Sequence, residues 1–245
     1  MLCKVIGLDI SDARFDYKRH ENLDCHFIKM DLLDFDAIGK VLYEFKPDYI
    51  LHLASYSSVA FSWQQPVTAF VNNLNIFLNL VEQIRLQQLN CTILSVGSSE
   101  EYGRVNRDDI PLKEDMQVNP ISPYAVARVS QEQLSKVYAE GFGLNIIMTR
   151  SFNHIGPGQT DKFAIPSFVK KLLEAKRNGI DHIVVGRKDI IRDFVDVRDV
   201  VRAYDMLLKN GKVSEIYNIC SGIGYTIEEI LEKLMDKLEI YINIH

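Results

Sequence analysis

Short apolar runs alternate with longer amphipathic stretches along this chain. Cys3 to Leu8, Phe27 to Met30, Tyr49 to Leu53, Thr92 to Val96, Asn145 to Thr149 and His182 to Val185 have the length and composition of strands. From Pro66 to about Leu89, the residues Phe70, Leu74, Phe77, Leu78, Val81 and Ile84 recur at helical spacing and form one apolar stripe. Near the C-terminal end Thr226 and Glu229 have the spacing of a capping box, and Ile227, Ile230, Leu231, Leu234 and Leu238 follow as a second stripe. Strands separated by helix-length segments predict an α/β fold, a mostly parallel sheet with helices on both faces. The alternation loosens after Gly156-Pro157-Gly158. A main domain over residues 1–158 and a smaller lobe over 159–245, the two interleaved, follow from that change.

Composition supports a folded chain and narrows its partners. With 245 residues, 47% hydrophobic and 25% charged, it can bury a substantial core. A net charge of -5 leaves no basic face, and Lys170-Lys171 and Lys176-Arg177 read as a solvated helix surface, so nucleic acid is not an expected partner. Cys3, Cys25, Cys91 and Cys220 are far apart, with no C-x-x-C and no histidine at metal-ligand spacing. They predict reduced, mostly buried thiols and no metal. The opening run to Ile10 is too short and too soon acidic for a signal peptide, and no apolar stretch has the length of a bilayer span. A cytoplasmic protein without membrane contact is expected.

The chemistry concentrates in two segments. Ser122-Pro123 supplies a helix cap and a first-turn proline, which puts Tyr124 in the first turn and Arg128 one turn later on the same face. Gly97-Ser98-Ser99-Glu100-Glu101-Tyr102-Gly103 follows the strand Thr92 to Val96, at the edge where open α/β sheets place their ligands. A serine hydroxyl there can hydrogen-bond a substrate oxygen while a tyrosine transfers a proton, and Glu100 adds a carboxylate for acid or base work.

These two segments, with Ser151-Phe-Asn-His-Ile-Gly-Pro-Gly-Gln159 and Arg192-Asp-Phe-Val-Asp-Val-Arg-Asp199, resemble the extended short-chain dehydrogenase/reductase family, the NAD-dependent epimerases, dehydratases and reductases of nucleotide sugars. The resemblance runs nearly end to end and favours the reductases of GDP-linked 4-keto-6-deoxy sugars. It implies a Rossmann-like doubly wound parallel sheet and a C4 reduction by a nicotinamide cofactor. Tyr124 would be the general acid, with Ser98 on the same oxygen and Arg128 in place of the family's lysine. Ser99 and Glu100 would line the sugar site, and Asn153 and Arg192 would hold the diphosphate. On the cofactor side it implies Asp9 on the adenosine ribose, favouring NAD(H) over NADP(H), and Asp31-Leu32 at the adenine. Leu53-Ala54-Ser55 would line the pyrophosphate and nicotinamide ribose, with Asn73 under that loop, and Phe152, Tyr124 and Arg128 would complete the set. A homodimer through the helices 66–89 and 122–142 is also implied. Two alternatives stay open: a lyase like GDP-mannose 4,6-dehydratase, which shares the Ser-Ser-Glu turn, and a non-catalytic sugar-nucleotide-binding relative.

Two features depart from the family pattern. The ribose acid ordinarily follows a G-x-G-x-x-G turn by about 20 residues, and Asp9 leaves no room for one. The chain therefore reads as truncated at both ends, without the usual first strand, with an opened sheet centre and with weak dinucleotide binding. The second is Arg128. A cation about 4 Å from a phenolate, at an effective dielectric near 20, stabilises it by about 4 kcal/mol, whichever basic residue supplies the charge. An arginine is thus expected to preserve the charge and change the geometry.

Overall fold

A computed structural model of the chain describes residues 3–13 and 23–245. They form two compact units, Met1–Arg150 with Met206–Tyr217, and Ser151–Asp205 with Asn218–His245. The first crossing falls at Ser151, ahead of the Gly156-Pro157-Gly158 turn.

The first unit opens with strands β1 (Lys4–Asp9) and β2 (Asp24–Lys29), paired in parallel from Lys4 opposite Asp24 to Asp9 opposite Lys29. Helix α1 (Phe35–Phe45) starts where Asp34 accepts the Ala37 N–H at 2.9 Å and stops at Lys46, whose φ of 42° is left-handed. Strand β3 (Tyr49–His52), helices α2 (Val59–Gln64) and α3 (Pro66–Leu86), β4 (Thr92–Ser98), α4 (Pro123–Phe142) and β5 (Asn145–Ser151) follow. With β9 (Ile216–Ile219), the later strands make a four-stranded sheet in the order β3-β4-β5-β9. Phe77, Val81 and Ile84 of the expected α3 stripe are fully buried against Ile38, Ile93, Ile146 and Met148. Each such side chain contributes about 1.5–3 kcal/mol on leaving water. Gly97 lets β4 approach β5: a Cβ there would lie 2.4 Å from Thr149 O.

The pair β1–β2 is a sheet of its own, and among the described residues no strand joins β1 to β3. The expectation of a gap between these two strands is met among the described residues. Val5 on β1 is 44% accessible and Leu51 on β3 39%.

The second unit contains β6 (Asn153–Ile155), α5 (Ala164–Asn178), β7 (His182–Ile183), β8 (Ile191–Asp196), the start of α6 (Val197–Asn210), β10 (Gly224–Thr226), α7 (Ile227–Leu238) and β11 (Asn243–Ile244). One sheet has the order β10-β8-β6 and another pairs β11 with β7. The predicted capping box starts α7: Glu229 N–H donates to Thr226 Oγ1 at 3.1 Å, and Thr226 N–H donates to Glu229 Oε2 at 2.7 Å. Leu172, Ile183, Ile227, Leu231 and Ile240 form the core of this unit.

No disulfide joins the four cysteines, but the expectation of mostly buried thiols fails. Only Cys91 is buried, which pushes its thiol up to about 11. Cys3 stands just before the exposed strand β1, and Cys220 in the turn after β9. Among the described residues no helix is long and apolar enough to cross a membrane.

Candidate active site

Ser122 accepts the Ala125 N–H at 3.1 Å, and Pro123 occupies the first helical position, so α4 begins as the sequence predicts. Tyr124 and Arg128 are both buried. The guanidinium donates from Nε to Tyr124 Oη at 3.2 Å and from Nη1 to Val96 O at 3.2 Å and to Gln131 Oε1 at 2.7 Å. A fourth bond runs from Nη2 to Ser55 Oγ. Among the described residues, four of its five N–H groups are thus engaged. Arg128 therefore clamps the loop after β3 and the end of β4 to α4. Its acceptors are all neutral, and among the described residues no carboxylate pairs with it.

Ser98 ends β4 and starts a short 3-10 turn, Ser99–Tyr102, against which the start of α4 packs. This brings Ser98, Ser99 and Glu100 to the same end of β4 as Tyr124. Ser98 Oγ accepts the Glu100 N–H at 3.3 Å, and Glu101 Oε1 accepts the Ser98 N–H at 2.7 Å. Glu101 is fully buried, and its other oxygen, Oε2, has no hydrogen-bond partner. Arg150 Nε lies 3.9 Å from that oxygen, but the guanidinium donates instead to Glu132, from Nε at 2.8 Å and from Nη2 at 3.0 Å. Two carboxyl groups thus share one guanidinium. Burial and then the charge of Glu132 push Glu101 up to about 8, so a neutral acid secures the turn that carries Ser98.

His52 ends β3 with a buried Nε2 that has no partner. Burial and the nearby charge of Arg128 press it down to about 3, and it packs as a neutral ring on Phe77. In the loop that follows, Leu53 is exposed and Ala54 and Ser55 are half-buried. Asn73 is engaged on the Tyr56 backbone, accepting its N–H at 2.7 Å and donating to its carbonyl at 3.1 Å. It shapes the loop from below. Asp9 is exposed at the end of β1 and accepts the Ser11 N–H at 2.7 Å. Asp31 accepts the Leu33 N–H at 2.9 Å, and Leu32 packs on the core.

The remaining candidates lie in the second unit. Phe152 N–H donates to Ile219 O at 2.9 Å. Asn153 Nδ2 donates to Asp193 O at 3.1 Å, which ties β6 to β8, the strand that bears Arg192. Arg192 is exposed, with Nη1 on Ile191 O at 2.9 Å. A cavity of about 570 Å³ in this unit is lined by Ile155, Gln159, Val169, Leu173 and Asp196, and neither Asn153 nor Arg192 borders it. Among the described residues no group of three acidic, histidine or cysteine side chains could hold a metal.

Sequence reasoning missed Gln131 and Glu101. Gln131 was within reach, because it lies three residues after Arg128 on the same helix face. The cluster of Glu101, Glu132 and Arg150 comes from three separate elements and carries no spacing signal.

A family model described as GDP-mannose 4,6 dehydratase matches residues 3–245. The chain belongs to the GDP-mannose 4,6-dehydratase family. Within it, GDP-6-deoxy-D-mannose reductase of Pseudomonas aeruginosa is 34% identical over 217 residues, covering 88% of this chain and 71% of the relative. GDP-mannose 4,6-dehydratase of Vibrio cholerae is 31% identical over 205 residues, covering 82% and 54%. The chain thus spans little more than half the length of some curated relatives. Among solved structures, RMD from Pseudomonas aeruginosa complexed with NADPH matches with a TM-score of 0.83 and 32% identity over 90% of this chain and 76% of that one. The UDP-glucose 4-epimerase of Thermus thermophilus complexed with NAD gives 0.84 and 26%, over 98% and 77%. The fold is accordingly the Rossmann-like one of nucleotide-sugar reductases, epimerases and dehydratases.

Proposed function

We propose that this chain carries the catalytic centre of a reductase acting at C4 of a GDP-linked 4-keto-6-deoxy sugar. The observation that carries the reading is the buried Tyr124 phenol held by Arg128 Nε at 3.2 Å, at the sheet end that also bears Ser98. The likeness to the Pseudomonas reductase supports the substrate class.

Tyr124 delivers the proton to the C4 oxygen, and Ser98 Oγ hydrogen-bonds that oxygen and orients it. Arg128 stabilises the phenolate left behind. Ser99 and Glu100 line the sugar, and Asn153 and Arg192 receive the diphosphate, a task suited to an exposed guanidinium fork.

A bound nicotinamide cofactor would supply the hydride. The residues of the first unit fit its two ends: the Asp9 carboxylate suits the adenosine ribose and Asp31-Leu32 the adenine, while Ser55 and Tyr124 suit the nicotinamide side. An acid at Asp9 repels a 2'-phosphate, which favours NAD(H) over NADP(H). Calorimetry with both dinucleotides tests this, and tight NADPH binding would contradict it.

A homodimer through α3 and α4 belongs to the same reading. The two helices pack together and still expose Val67, Val71, Val126, Val137 and Phe142, an apolar surface suited to a second copy. A monomeric mass in light scattering would count against it. The reading carries a cytoplasmic location with it.

Glu100 favours a second reading, a 4,6-dehydratase, because its carboxylate sits in the substrate turn as a base for a carbon acid. Incubation with GDP-mannose and with the GDP-4-keto-6-deoxy sugar, followed by product analysis, separates the two. The reductase consumes only the keto sugar and oxidises one cofactor per turnover. Turnover of neither, with GDP still bound, would favour a binding protein.

A further inference from the structure

Arg128 is a buried cation surrounded by neutral oxygens. Burial of a charge without a counter-charge is unfavourable, so its surroundings should show what holds it there. Its Nη1 donates to Gln131 Oε1 at 2.7 Å. Gln131 is 1% exposed, and its Nε2 donates to Ser95 Oγ at 2.8 Å and to Val96 O at 3.3 Å. Because Val96 O can only accept, the amide orientation is fixed, with the oxygen toward Arg128. Ser135 Oγ lies 3.1 Å from Ser95 Oγ and 2.8 Å from Gln131 O and closes the chain. Every member of this path, from Ser135 through Ser95, Gln131 and Arg128 to Tyr124, is buried.

We propose that Gln131 is a positioning residue, a neutral acceptor that turns the Arg128 guanidinium toward Tyr124 Oη without cancelling its charge. A planar fork needs such a device. An ammonium presents the same donors in every rotation about its axis, whereas a guanidinium points one particular N–H at the phenol only if its other nitrogens are tied. A carboxylate in place of the amide would tie Nη1 equally well. It would also put a negative charge beside the cation and remove the field that the phenol oxygen experiences. His52, whose protonation Arg128 opposes, is held neutral chiefly by burial and adds no charge to the cluster.

The proposal rests on the reading of Tyr124 as proton donor. Gln131→Glu, Gln131→Met and Tyr124→Phe are compared with the parent chain for NAD(P)H-dependent reduction of the keto sugar and for melting temperature. The tyrosinate absorbance step of the ligand-free protein is taken as the difference from Tyr124→Phe. The expected result for Gln131→Glu is a kcat at least about tenfold lower, with KM within about twofold and a parental melting temperature. Its alkaline limb and tyrosinate step both move to higher pH, because a carboxylate on Nη1 offsets the charge beside the phenol. Gln131→Met loses kcat with little pH displacement, because it loosens the fork and leaves the charge. Parental kcat and parental titration in Gln131→Glu, with Tyr124→Phe inactive, would overturn the proposal alone. Equal losses in both Gln131 variants with no pH displacement would overturn it as well, by reducing Gln131 to packing. An active Tyr124→Phe would overturn the reading of Tyr124 and the proposal together.

Discussion

Glu101→Gln should make the protein more stable at alkaline pH. The parent carboxyl is fully buried beside Glu132 and pushed up to about 8 from an ordinary 4.5. Between those values the native state holds a proton that the unfolded chain has released. Stability from this group is therefore fully present below about pH 4.5 and is lost as pH rises toward 8, by about 1.4 kcal/mol per pH unit. A glutamine reproduces the protonated form: its oxygen can accept the Ser98 N–H, and its amide N–H can reach Glu132. Urea unfolding followed by far-ultraviolet circular dichroism from pH 5 to 8.5 isolates the effect of the Glu101–Glu132 pair as variant minus parent, in which ionisations remote from the pair cancel. The difference should begin near its acid baseline, climb through pH 6 and 7, and level off above pH 8. A difference that stays flat with pH, or a variant less stable than the parent at pH 8.5, would refute a neutral Glu101.

Three further outcomes follow from the same geometry. Gly97→Ala would place a Cβ 2.4 Å from Thr149 O and 2.5 Å from Glu101 Oε1, so overpacking should lower stability by about 3 kcal/mol or more in urea titration. His52, pressed down to about 3, should show no titration of its ring protons by NMR between pH 5 and 8. Its depressed value means that it contributes stability above its unfolded pKa and loses it as pH falls toward 3, so His52→Leu should flatten the acid limb of the stability profile. Arg128→Ala removes a clamp with four hydrogen bonds and leaves a cavity, for an expected loss of about 2–4 kcal/mol in unfolding free energy.

Local rules made much of this molecule legible. Ser122-Pro123 start α4 and Thr226 and Glu229 start α7 because caps depend only on residues within one turn. The polar turn after Val96 was readable for the same reason. The strands β6 and β10 were not, since three residues each leave no periodicity to detect, and β8, though six residues long, is paired only through long-range contacts with them. In Tyr124-Ala-Val-Ala-Arg128 the sequence showed the substitution, and only the structure showed that most of the fork is occupied by Ser55, Val96, Gln131 and Tyr124 itself. The buried trio Glu101, Glu132 and Arg150 depends on three elements meeting, which no local pattern records.

The central claim is that Tyr124 protonates the C4 oxygen of a GDP-linked 4-keto-6-deoxy sugar. The direct measurement is the steady-state rate of cofactor oxidation with that sugar, for the parent chain and for Tyr124→Phe. The account expects kcat/KM to fall by about 10²–10⁴-fold in the variant while calorimetric affinity for GDP stays within about threefold. A variant that turns over within a few-fold of the parent would contradict it.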